Sequence, residues 1–160
     1  MTKAVFLGVC VNPPGKDQVN AGEHGEYVLL ELKGNTKDLE IQHLVYPVTG
    51  NPYFDTWYAI KGDLPPHVNQ LLVRGGEGQP NVEGARQTVY TGDRRWRFNN
   101  AQGEHLRVVD KHGKVIAELI APGTRCDILS VPPRVPGVIP SVPPIVRPSL
   151  PAAAAFGEVD

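Results

Sequence analysis

The chain lacks an excess of either charge: 16 lysines and arginines stand against 17 aspartates and glutamates, a formal charge of −1 at pH 7. That balance removes the polybasic surface on which nucleic-acid and membrane-surface binding commonly rest, and no acidic tail is present. No apolar run approaches the ~20 residues of a membrane helix, so no membrane partner is expected. Serine is scarce, with only Ser130, Ser141 and Ser149, all at or beyond the start of a proline-rich C-terminal stretch. A serine hydrolase needs its nucleophile held rigidly beside a base, and no such serine exists here. Cysteine is limited to Cys10 and Cys126, in neither a metal-ligand nor a redox spacing. They lie near opposite ends of the folded region, where a bridge between first and last strands is geometrically conceivable. Two buried thiols in a reducing cytosol is the expectation preferred, and with it a cytoplasmic protein.

Lys3 and the apolar run 4–11 imitate the start of a signal peptide. Asn12-Pro13-Pro14-Gly15 follows where a small-x-small cleavage site belongs, so the run is read as a first strand.

What is abundant is glycine (17) and proline (16), which favours short strands and turns over helices. Short segments rich in Val, Leu, Ile or aromatics and bounded by turn residues predict strands at 4–11, 26–33, 39–46, 54–60, 68–74, 86–90, 95–99, 104–110 and 114–120. No stretch carries a convincing 3.6-residue period with a cap. Lys111-His112-Gly113 joins the last two segments, and a three-residue loop ending in glycine suits a hairpin whose glycine is left-handed. Close-spaced strands without interleaved helices indicate an antiparallel sandwich or barrel, and no internal repeat points to a propeller or solenoid. Composition changes near Leu129-Ser130: 8 of the 30 residues after Ser130 are proline. The chain is divided there into a globular domain, 1–129, and an extended proline-rich tail, 130–160.

The order of segments resembles the lamin tail domain family. The strand running into Val11-Asn12-Pro13-Pro14-Gly15-Lys16-Asp17, followed by a polar loop and Gly25-Glu26-Tyr27-Val28-Leu29-Leu30-Glu31-Leu32, is similar to that family's opening loop and its glutamate-aromatic-valine-x-leucine strand. Gly34-Asn35-Thr36-Lys37-Asp38-Leu39 resembles its polar turn with Asp-Leu, and Leu64-Pro65-Pro66 with 68–73 its leucine-x-proline loop and hydrophobic strand. The stretch 96–110 with Gly113-Lys114-Val115 resembles its closing hairpin. The family's small-Gly-Trp element after Asp-Leu is replaced by Glu40-Ile41-Gln42-His43-Leu44, so Trp57 or Trp96 is expected to fill that core volume. The resemblance implies an immunoglobulin-like antiparallel β-sandwich that binds other macromolecules and is not itself catalytic. With neither a coiled-coil rod nor a catalytic neighbour in the sequence, the chain is read as a free-standing member.

The remaining residue types offer little first-hand chemistry. His24, His43, His67, His105 and His112 are scattered with no second ligand at a fixed offset. His43 sits on a face with Leu39, Ile41 and Val45 and is expected to be half-buried with a hydrogen-bond partner. Asp17, Glu23, Glu26, Asp38, Asp93 and Glu104 are spaced too loosely for the six or more oxygens of a calcium site and are read as solvated loop acids. Gly75-Gly76-Glu77-Gly78 lacks the Gly-Lys-Ser/Thr ending of a phosphate loop and is read as a flexible loop. No catalytic residue, metal site or cofactor is expected. Arg94-Arg95-Trp96-Arg97-Phe98 is the one basic-aromatic cluster; if Trp96 and Phe98 face inward, Arg95 and Arg97 face outward and Arg107 joins them. Arg94, Arg95, Arg97 and Arg107 are thus the candidate nucleic-acid contacts, in a chain that offers little counterion release.

The tail is more informative. Proline at this density fixes φ and removes donors, so an extended polyproline-II chain is expected. A plain spacer would be polar, yet this one carries Val131, Val135, Val138, Ile139, Val142, Ile145, Val146 and Leu150, with Phe156 beyond. Three fates are open: a linker, an arm docking on a partner, or an arm folding back on its own sandwich. A preformed extended segment loses less entropy on docking, which favours the docking arm. The expected function is therefore a non-catalytic structural or adaptor protein. Its partner-binding arm is Val135, Val138, Ile139, Val142, Ile145, Val146, Leu150 and Phe156, engaging a protein partner or a second copy. The alternative is a nucleic-acid-associated module.

Overall fold

The computed structural model describes residues 2–11, 25–93, 98 and 103–135. These residues form nine strands and no helix: β1 (Lys3–Cys10), β2 (Tyr27–Lys33), β3 (Glu40–Val45), β4 (Tyr53–Ala59), β5 (Gln70–Arg74), β6 (Asn81–Glu83), β7 (Arg86–Tyr90), β8 (Glu104–Val109) and β9 (Val115–Ala121). A five-stranded sheet runs β1-β2-β5-β7-β6 and a four-stranded sheet β4-β3-β8-β9. Alternate residues of the two sheets meet in one core: Val28, Leu30 and Leu32 of β2 and Leu71 and Val73 of β5 face Ile41 of β3 and Leu106 and Val108 of β8. Each fully buried side chain of this kind contributes ~1.5–3 kcal/mol relative to exposure. The period-2 pattern of β2, with Val28, Leu30 and Leu32 inward, is what commits the strand to this face, since a slip by one residue would turn all three outward.

The all-β, sandwich-like fold agrees with the sequence reading, with one correction. The five-stranded sheet is not wholly antiparallel: β5 and β7 run parallel, with Leu72 opposite Thr88. After β5 the chain passes beyond the position of β7 to form β6 at the sheet edge, then turns at Gly84 (φ +57°) and fills the gap, so β7 takes the direction of β5. The segment β6 is absent from the expected strands because all three residues are exposed, and a short edge strand carries no apolar alternation. Of the expected strand 95–99 only Phe98 is described, and it lies in a bend. Its ring is buried with Trp57, at a centroid distance of 4.8 Å, so Trp57 fills core volume while Trp96 lies outside the described residues.

The closing hairpin follows its expected chemistry. Gly113 is left-handed at φ +79°, and the Asp110 N–H donates to Lys114 O at 2.9 Å. The Asp110 carboxylate accepts from the backbone N–H of His112 (2.8 Å) and Lys114 (2.9 Å). These donors, Lys114 foremost, hold its carboxyl below the ordinary aspartate value.

Candidate functional site

The C-terminal segment after β9 does not leave the sandwich at Leu129. It turns at Pro122, where the Arg125 N–H donates to Pro122 O at 3.0 Å, and meets the end of β1 as a short antiparallel bridge. The Val11 N–H donates to Arg125 O at 2.8 Å and the Asp127 N–H to Val9 O at 3.0 Å. Between these bonds Cys10 and Cys126 are joined by a disulfide, with S–S 1.98 Å. This corrects the expectation of two separate thiols: β-pairing brings the two Cα atoms within 3.8 Å, a juxtaposition that their sequence separation of 116 conceals.

From there the segment crosses the outer face of the five-stranded sheet as a strap. The Tyr27 hydroxyl donates to Asp127 O. Leu129 packs on a second, smaller apolar cluster of Cys10, Tyr27, Leu29 and Leu72. Arg86, 4% exposed, donates from Nη1 to Ser130 O at 2.8 Å and from Nη2 to Ser130 Oγ at 3.1 Å, while its Nε donates to Gln70 Oε1 at 3.0 Å. The Ala85 N–H then donates to Pro133 O at 2.7 Å. The strap thus passes in turn over β1, β2, β5 and β7, and the alternative in which the tail folds back on its own sandwich holds as far as Pro133.

Charge settles the strap's first turn. The Asp127 carboxylate accepts from Arg125 Nη2 at 2.8 Å and from the Val9 N–H at 3.1 Å. The Arg125 guanidinium first, and the Val9 N–H after it, hold the Asp127 carboxyl below its ordinary value. Burial, and then the Asp127 carboxylate, push the Tyr27 hydroxyl above the usual phenol range, which keeps it protonated as a donor. A depressed carboxyl contributes stability above its unfolded value, about 3.9, and loses it as pH falls through the lower folded value. Acid titration of the unfolding midpoint is therefore expected to fall more steeply below about pH 4 for the natural chain than for Asp127→Asn. Parallel curves would remove Asp127 from the strap's hold.

The arm residues chosen from the sequence are mostly beyond view. Val135 is half-buried at the end of the described chain. Val138, Ile139, Val142, Ile145, Val146, Leu150 and Phe156 lie outside the described residues, as do Arg94, Arg95 and Arg97. Arg107 is on the outer face of the four-stranded sheet, already engaged: its guanidinium carbon is 3.7 Å from the Phe54 ring centroid, and its Nε donates to Gln42 Oε1 at 2.8 Å. His105 beside it stacks edge-on against Phe54 at 5.0 Å and contacts Glu118 at 2.8 Å through Nε2. The four-stranded sheet therefore presents a mixed polar and aromatic ladder in which each described charge has a partner.

Two acids read as solvated are buried. Glu26 is 0% and Glu104 3% exposed. Glu26 lies just before β2, and its Oε2 accepts the Phe98 N–H at 2.7 Å. Glu104 opens β8, with Oε1 3.5 Å from Nδ1 of His43 on the neighbouring β3. His43 is itself fully buried rather than half-buried and its ring lies 5.9 Å from that of Phe98. The physical reason is position: Glu104 and His43 alternate with outward residues on paired central strands, so both must point into the core. Gly75 and Gly76 are likewise not a free loop, since their N–H groups donate to Glu26 O (2.7 Å) and Asp93 O (2.9 Å). Among the described residues, no three His, Cys, Asp or Glu side chains are grouped to hold a metal ion. The described residues form no helix long and apolar enough to cross a membrane.

Of the residues that build the strap's seat, Arg86, Arg125 and Asp127 are given no role in the sequence reading, and Tyr27 and Ser130 enter it in other roles. Their one legible signal is the pair of cysteines at opposite ends of the domain; an arginine inside a strand segment says nothing until its neighbour is known. The fold and site define an all-β, two-sheet protein with a disulfide-pinned strap on one outer face. The chain matches no protein-family model and no curated protein.

Proposed function

We propose that this protein is a non-catalytic interaction module: an immunoglobulin-like sandwich of the lamin-tail kind that carries an apolar, proline-rich arm to a protein partner or a second copy. Nine strands in sheets of five and four agree with the larger immunoglobulin-type sandwiches. The observation that carries the reading is the strap. Ser130 and Pro133 are bonded to Arg86 and Ala85, so the apolar stretch from Val135 to Leu150 starts from a set point on the sandwich. An extended segment that begins from a fixed anchor loses less freedom on docking than one on a loose linker. The Cys10–Cys126 bridge also makes an oxidising compartment the better reading than the cytoplasm expected from composition.

The anchor decides the experiment. Cutting at Leu129 would remove Ser130 and Pro133 from their partners, so the informative truncation ends at Val135. Light scattering over a concentration series is expected to give larger species for the full chain and a monomer for the truncated one. Equal masses, together with no tail-dependent capture of a partner protein, would overturn the reading. The nucleic-acid alternative through Arg94, Arg95, Arg97 and Arg107 has less support, because the Arg107 guanidinium is occupied by Phe54 and Gln42. Binding to DNA or RNA that weakens steeply with added salt would restore it.

A further inference from the structure

We propose that the Cys10–Cys126 disulfide is a redox latch: a dithiol that reduces it releases the strap, residues 122–135, from the outer face while the sandwich stays folded. The inference stands on the strap itself and not on what the arm engages.

Three observations carry it. First, the strap belongs to a separate packing unit. The main core between the sheets contains neither cysteine and no residue after Ala121, whereas Cys10 and Leu129 belong to the small cluster on the outer face. Local opening follows such boundaries, since a segment that shares no core with the body can part from it without unfolding it. Second, the non-covalent hold is modest. It consists of backbone bonds to Val9 and Val11, the Val9 N–H donated to the Asp127 carboxylate, the Tyr27 and Arg86 contacts, the Pro133 bond and one packed leucine. Ile128 and Val131 stand 97% and 87% exposed and add no burial to offset the ordering of about a dozen residues. The cross-link is what tips that balance. Third, the bond can be attacked from one side: Cys126 is exposed, whereas Cys10 is 1% exposed.

The exchange balances. A thiolate of the dithiol attacks Cys126 Sγ, forming a mixed disulfide and expelling Cys10 as a thiolate, which takes up a proton. The reductant's second thiolate then attacks its own sulfur, closing a cyclic disulfide and releasing Cys126, which is protonated in turn. Two electrons pass from the dithiol to the protein's cystine. Release bares Tyr27, Leu29 and Leu72 and frees the point from which the arm departs.

The test is amide hydrogen exchange on the full chain, oxidised and then in dithiothreitol. In the oxidised chain the N–H groups of Asp127 and Ala85 are protected by Val9 O and Pro133 O. After reduction both are expected to exchange within ~10-fold of an unstructured chain, while amides of β2 and β8 keep at least ~100-fold more protection. Removing the dithiol and reoxidising is expected to restore the strap. A chain carrying Cys10→Ala and Cys126→Ser should behave as the reduced form with no reductant present. Retained protection at Asp127 and Ala85 would show that the strap needs no latch. Loss of protection across β2 and β8 as well, or a double variant that does not fold, would make the disulfide a staple of the whole domain. Either result overturns the proposal.

Discussion

Replacing Gly103 with alanine is expected to destabilise the domain by about 2–5 kcal/mol, seen as a lowered midpoint of thermal or denaturant unfolding. Gly103 is buried, with φ at +81°. A side chain there meets two penalties. The left-handed conformation costs an ordinary residue roughly 1–2 kcal/mol. The added Cβ would also overlap the backbone oxygen of Ala121 and stand 3.1 Å from Gly123 N and from the Pro122 Cα. Those neighbours are main chain at the end of β9 and the first turn of the strap, so they cannot swing aside as a flexible side chain would. Overpacking of this kind typically costs a further ~1–3 kcal/mol. Gly113 separates the two causes. It has φ +79° and nothing within 4 Å of an added Cβ, so Gly113→Ala is expected to cost only the conformational part, about 1–2 kcal/mol. Equal losses at the two positions would mean that the contact with Ala121 is not felt.

The second large effect concerns the buried pair of His43 and Glu104. Either His43→Leu or Glu104→Leu is expected to cost about 3 kcal/mol or more, because one buried polar group is left facing the space of the other. The double replacement by leucine is expected to cost less than the sum of the two single replacements, since it removes the buried imidazole and the carboxylate together. The measurement is a double-mutant cycle of unfolding free energies. Losses that simply add would show that His43 and Glu104, 3.5 Å apart, are not coupled. The pair supports the region where Glu26 holds the Phe98 N–H and where Phe98 lies against Trp57. A variant that uncouples it therefore reports on how the end of the sandwich around Phe98 is held.

Several elements are legible in the sequence alone. β2 and β8 are visible because each is a short segment rich in valine and leucine bounded by turn residues, a local property of the sequence. The β8–β9 hairpin was visible because Gly113 follows a short polar loop, and a left-handed residue at that place needs no distant partner. The edge strand β6 was invisible for the same reason in reverse: Asn81, Val82 and Glu83 are all exposed, so nothing in their order distinguishes them from a loop. The break near Leu129 was legible as a change of composition but does not mark the end of the contacts. Ser130 and Pro133 belong to the body through Arg86 and Ala85, and composition cannot register a hydrogen bond between residues 44 apart.

By itself, then, the sequence determined an all-β chain, most of its strand segments, one hairpin turn and an apolar proline-rich end. Each of these follows from local side-chain composition or from the φ limits of glycine and proline. The tertiary structure alone decided the parallel pairing of β5 with β7, the burial of Glu26, His43 and Glu104, the disulfide, and the path of the strap. All four depend on which strands become neighbours, and that is chosen by closing one core between two sheets. Two cysteines 116 residues apart become partners, and an arginine on β7 becomes an anchor, only after that core has set the sheet order.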